Sequence, residues 1–124
     1  MYNRLITFLN KKKVLYDLQF GFRKHHSTEM ALAQFLDKLT TTLDNGDISI
    51  GIFLDLSKAF DTFSHDILLK KLEFYGIRGT SLEWFASYLA GRQQCVHYKN
   101  ATSKILEMKC GVPQGSILGP LLFI

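Results

Sequence analysis

A chain of 124 residues has the length of one small domain, able to bury roughly 65% of its unfolded surface around one modest core. Apolar residues make up 47% and charged residues 21%, which excludes a disordered polyelectrolyte. The net charge of +4 suits a polyanionic partner without demanding one.

The segment from Tyr2 to Lys13 has Leu5, Phe8 and Leu9 at helical spacing with basic residues opposite, which predicts an amphipathic helix. Asn10 to Lys13 breaks this apolar run too early for a signal peptide. Val14 to Lys24 reads as an extended connector with a turn at Gly21. Ser27 is placed to cap a second helix, Thr28 to Leu43, whose Met30, Phe35, Leu36, Leu39 and Leu43 form a broad apolar stripe ended by Asn45-Gly46. Ile48 to Leu56 is rich in β-branched and apolar residues and too short for a typical helix, so it reads as a buried strand.

Ser64 is placed to cap a third helix, His65 to Tyr75, stopped by Gly76. Thr80 and Glu83 have capping-box spacing for a fourth, ending near Ala90 and Gly91. Gln94–Tyr98 and Ser103–Cys110 read as a hairpin turning through Lys99 to Thr102. Pro113 makes Gly111–Ser116 a loop, and an apolar helix starts near Ser116. The order predicts an α+β domain with a small antiparallel sheet and about five helices. The apolar run Leu121–Ile124 has no polar exit, which reads as an element continuing past the last residue.

No stretch reaches the ~18 apolar residues that span a bilayer. Two cysteines, Cys95 and Cys110, do not make a secreted disulfide framework. The expectation is a soluble intracellular chain, nuclear or cytoplasmic, with no membrane partner. The basic residues gather early: Arg4, Lys11, Lys12, Lys13, Arg23 and Lys24 stand against Asp17 alone within residues 1–28. They read either as a solvated face or as a patch facing phosphates. Trp84, Phe85 and Tyr88 at helical spacing read as core.

Asp55 carries the most chemical information, because it ends an almost wholly apolar run where a charge needs a reason. Locally it is either a turn cap or a ligand for a hard divalent cation. Its neighbours matter: Asp55-Leu56-Ser57-Lys58-Ala59-Phe60-Asp61 is followed by His65-Asp66, and later by Gly111-Val112-Pro113-Gln114-Gly115-Ser116. Upstream lies Gln19-Phe20-Gly21-Phe22-Arg23-Lys24-His25-His26-Ser27-Thr28. Three such segments, in this order and over nearly the whole chain, resemble consecutive blocks of the reverse transcriptases of non-LTR (LINE-like) retrotransposons.

The resemblance implies a palm and fingers piece of an RNA-directed DNA polymerase, with residues 1–45 on the fingers side and 46–124 in the palm. It implies that Asp55 is catalytic and binds metal, with the Leu56 carbonyl adding a metal contact beside the nucleotide. Phe60 would pack under the incoming sugar and favour deoxynucleotides. Gln114 and Gly115 would line the nucleotide pocket. Glycine there lets backbone approach a ligand, and glutamine offers both a donor and an acceptor. Arg23 and Lys24 would contact nucleic acid, although His25-His26 stands where a Gly-Arg pair is usual. Asp61 receives no metal and a hydrogen-bonding role. The implied partners are an RNA template, a DNA primer, deoxynucleoside triphosphates and the rest of the polymerase, and the implied cofactor is Mg²⁺.

Two-metal nucleotidyl transfer needs several carboxylates around ions about 3.5–4 Å apart. The resemblance places two further aspartates in an aromatic-Ala-Asp-Asp hairpin, and no Asp-Asp pair occurs in these 124 residues. The 124 residues alone are therefore expected to be inactive. A non-catalytic nucleic-acid-binding piece and a degenerate remnant both stay open.

Overall fold

The computed structural model describes all 124 residues. Six helices and four very short strands follow one another: α1 (Tyr2–Lys11), α2 (Thr28–Asp44), α3 (Ala59–Thr62), α4 (His65–Phe74), α5 (Thr80–Leu89), β1 (Gln93–Gln94), β2 (His97–Tyr98), β3 (Ala101–Thr102), β4 (Leu106–Glu107) and α6 (Leu118–Phe123). The α+β class holds, with six helices rather than about five.

The core is small and comes from one half of the molecule. Leu5 and Leu9 of α1 meet Leu68 and Leu72 of α4, Phe85 and Leu89 of α5, and Leu118, Leu121 and Leu122 of α6, with Val112 fully buried among them. Each helix contributes positions three or four apart, the pairs that share a face. Phe85 is 1% exposed and belongs to this core as expected, but its neighbour Trp84 is 39% exposed and stands outside it.

Three helices end by the same device. In α4 the Gly76 N–H donates to the Glu73 carbonyl and the Ile77 N–H to the Leu72 carbonyl, with Gly76 at φ +101°. This is the Schellman pattern, and the buried Ile77 supplies its apolar contact. The pattern recurs after α2 around Gly46 at φ +77°, and after α1 with Lys13 in the left-handed position at φ 51°.

The expected strand from Ile48 to Leu56 does not form. The segment has no regular structure, and residues 48–57 make no hydrogen bond. Ile48 is 90% and Leu54 89% exposed. A strand exists through its ladder, and none of the other residues presents an edge to these amides. The apolar stripe of α2 is open as well: no α2 residue is buried, and Phe35 meets the Phe53 ring edge-on at 6.0 Å.

Other boundaries move for local reasons. Helix α5 is N-capped by Gly79 at φ 56°, so Thr80 sits inside the first turn and the capping box with Glu83 is not made. Ser64 makes no side-chain cap for α4; it forms an isolated antiparallel bridge with Cys110 instead. The hairpin exists but is tighter and broken. β2 and β3 pair His97 with Thr102 and Tyr98 with Ala101 around a two-residue turn, while β1 and β4 pair Gln93 with Glu107 and Gln94 with Leu106. Between these ladders two residues face three, a bulge, where the Val96 N–H is taken by the Ser103 hydroxyl at 2.9 Å. Helix α6 starts at Leu118 rather than Ser116, whose hydroxyl accepts from the Gly119 N–H at 2.9 Å. The unforeseen α3 is a single turn entered through Lys58 at φ 53°.

Candidate nucleotide site

Two stretches far apart in sequence are laced together. The Val112 N–H donates to the Phe60 carbonyl and the Gly111 N–H to the Phe63 carbonyl, each at 2.8 Å. The His65 imidazole, through Nε2–H, donates to the Gly111 carbonyl at 2.7 Å. The Cys110 thiol donates to the Asp61 carbonyl at 3.1 Å, and the Gln114 amide, through Nε2–H, to Asp61 Oδ1 at 2.9 Å. Gly111, at φ +75°, is what lets the two backbones approach. A Cβ there would press on the Phe60 carbonyl oxygen and lie 2.6 Å from the Asp61 Cα.

This lacing gathers part of the predicted site. Phe60, Gln114 and Gly115 line one cavity of about 240 Å³, together with Phe22, Pro113 and Pro120. Phe60 is half-buried, and its ring packs on Phe123 with centroids 4.5 Å apart and meets Phe22 edge-on at 5.6 Å. Gln114 also lines the adjoining cleft of about 700 Å³, which carries Lys58, Asp61, Arg92 and Lys109. A cavity with one aromatic wall and one amide wall, open to a cleft bearing cations, offers a stacking or packing surface beside directional polar groups.

The remaining predicted residues stand apart. Asp55 and Leu56 lie in the unpaired segment; both are exposed, and neither makes a hydrogen bond. No group of three or more His, Cys, Asp or Glu side chains is placed to hold a metal ion. The Asp55 carboxylate and Leu56 carbonyl are hard oxygen donors of the kind a small divalent cation takes. One carboxylate and one carbonyl nevertheless fall short of a complete ligand set. Arg23 is half-buried, and its guanidinium donates through Nη1 to the Tyr16 carbonyl at 2.7 Å, which ties the loop before α2 to itself. Lys24 is exposed.

Sequence reasoning assigned no pocket role to Phe22, Pro120 or His65. Phe22 was hidden because its reach to Phe60 depends on a left-handed backbone at φ 59°, which nothing in a phenylalanine signals. His65 could have been suspected, since it stands just past the Asp55–Asp61 block.

The family model for reverse transcriptase (RNA-dependent DNA polymerase) matches residues 1–124. The chain is 35% identical to a probable RNA-directed DNA polymerase from transposon BS of Drosophila melanogaster, over 98% of the chain and 13% of that protein. It is 35% identical to the RNA-directed DNA polymerase from mobile element jockey of the same species, over 98% of the chain and 13% of the relative, and 32% identical to the probable polymerase from transposon X-element, over 97% and 13%. No solved structure matches. The chain belongs to the reverse transcriptase (RNA-dependent DNA polymerase) family, and these three relatives are polymerases of transposons and mobile elements. It spans about 13% of the length of those relatives. The family works in general on a nucleic-acid template with nucleotide substrates and a divalent metal. No helix is long and apolar enough to cross a membrane.

Proposed function

We propose that these residues form the central palm, with part of the fingers, of an RNA-directed DNA polymerase of a non-LTR retrotransposon. Residues 1–45 are the fingers side and residues 46–124 the palm. The partners are an RNA template, a DNA primer, deoxynucleoside triphosphates and the rest of the polymerase chain.

One observation carries the reading: the Phe60 and Gln114–Gly115 blocks, about fifty residues apart, share the wall of one cavity. Phe60 supports the sugar of the incoming nucleotide and is held from behind by Phe123. Gln114 presents its amide to the nucleotide, and Gly115 keeps that wall free of side chain. Asp55 and the Leu56 carbonyl contribute oxygens to a Mg²⁺ site whose other carboxylates lie outside these 124 residues. Arg23 steadies the loop that carries Phe22 to the cavity, and Lys24 faces a phosphate of the bound strand.

The test is RNA-templated primer extension by the full-length polymerase carrying these residues. Asp55→Asn keeps the size and removes the charge, and extension should fall below detection. Asp47→Asn, at an exposed position just before the segment, should leave the rate within about twofold, as surface substitutions do. Unchanged extension by Asp55→Asn would remove the assignment.

A further inference from the structure

Gln114 can face a ligand with either end of its amide, and the two ends do opposite chemistry: one donates hydrogen bonds and the other accepts them. Its neighbour Asp61 decides between them. Asp61 Oδ1 lies 2.9 Å from Gln114 Nε2, and an ionised carboxylate only accepts. The –NH₂ end must therefore face Asp61, and Oε1 is turned away from it. A flipped amide would set two oxygens against each other without a proton between them.

Asp61 is itself well placed to act as a fixed reference. It belongs to α3, a single turn that packs against α6. Its carbonyl accepts from the Cys110 thiol. The carbonyls of Phe60, just before it, and Phe63, two residues after it, accept the backbone bonds from Val112 and Gly111. No lysine or arginine comes within salt-bridge distance of it, although Lys58, Arg92 and Lys109 line the same cleft. The carboxylate is thus free to serve the amide.

We infer that Asp61 is a positioning residue for Gln114: it fixes the side-chain amide so that Oε1 meets a hydrogen-bond donor of the nucleotide in the Phe60 cavity. The inference rests on the reading of that cavity as the nucleotide site. Asp61 touches no substrate; it acts through Gln114.

The experiment is a double-substitution cycle in the full-length polymerase, reading kcat and KM for the incoming deoxynucleotide. Asp61→Ala and Gln114→Ala should each raise KM about tenfold and leave kcat within a few fold. The double variant should be no worse than either single one, because residues that act through one contact do not add. Asp61→Asn, whose amide lets Gln114 sit either way round, should fall between Asp61→Ala and the parent chain. Additive losses in the double variant, or an unchanged KM in Asp61→Ala, would overturn the inference. So would a loss confined to thermal stability and shared equally by Asp61→Asn. Asp55→Asn, run alongside, separates the two levels: if it extends primers normally, the polymerase site itself is misassigned. If Asp55→Asn is inactive while Asp61→Ala behaves as the parent, only the positioning role fails.

Discussion

Gly111 is where residue chemistry matters most for the site. Its positive φ and the pressure of Phe60 and Asp61 backbone make any side chain doubly unfavourable. Gly111→Ala should destabilise the chain by about 2–4 kcal/mol, combining left-handed strain with overpacking. Gly46 has a similar φ with nothing within 4 Å, so Gly46→Ala should cost only the backbone share, about 1 kcal/mol. Urea unfolding of the two variants checks the difference. His65→Ala leaves the Gly111 carbonyl without its partner and should cost about 1–3 kcal/mol. The two sequence blocks were legible from residue types alone. The bonds between them were not, since a histidine–carbonyl contact 46 residues apart leaves no local pattern.

The elements divide into a packed set and an open set. Helices α1, α4, α5 and α6 supply the core, whereas α2 and residues 48–57 bury nothing. Hydrogen exchange should show this directly: amides 48–57 should exchange at unprotected rates, and those of Leu72 and Leu89 should be the slowest. Leu89→Ala should cost 2–5 kcal/mol, within the usual range of buried leucines, while Leu36→Ala, half exposed, should cost much less. Ser27 accepts from the Met30 N–H at 3.3 Å, and a hydrogen bond from its hydroxyl holds the Glu29 carboxyl below its usual range. A carboxyl lowered in the folded state contributes stability above its ordinary range and loses it as pH falls through the lowered value. The start of α2 should therefore fray on acidification, and Glu29→Gln should remove that acid dependence without unfolding the core. Helix periodicity located every long helix because each has a real face, even where α2 leaves that face bare. The strand at 48–56 was misread because composition reports what a segment prefers, and a strand needs a partner that composition does not supply.

At the scale of the whole molecule, the residues of the candidate site are only partly brought together. The Phe60 and Gln114–Gly115 walls are joined, while Asp55 stands in solvent and unpaired. The family was legible because three sequence blocks lie in order over nearly the full length, and the family match covers residues 1–124. The measurement that tests the central claim most directly is sugar selection by the full-length polymerase, comparing parent and Phe60→Val. If Phe60 supports the incoming sugar, removing its ring should raise ribonucleotide incorporation relative to deoxynucleotide by at least tenfold, a change of about 1.4 kcal/mol in relative barrier. Unchanged selectivity in a variant that still extends primers would show that the cavity between Phe60 and Gln114 is not where the nucleotide sits.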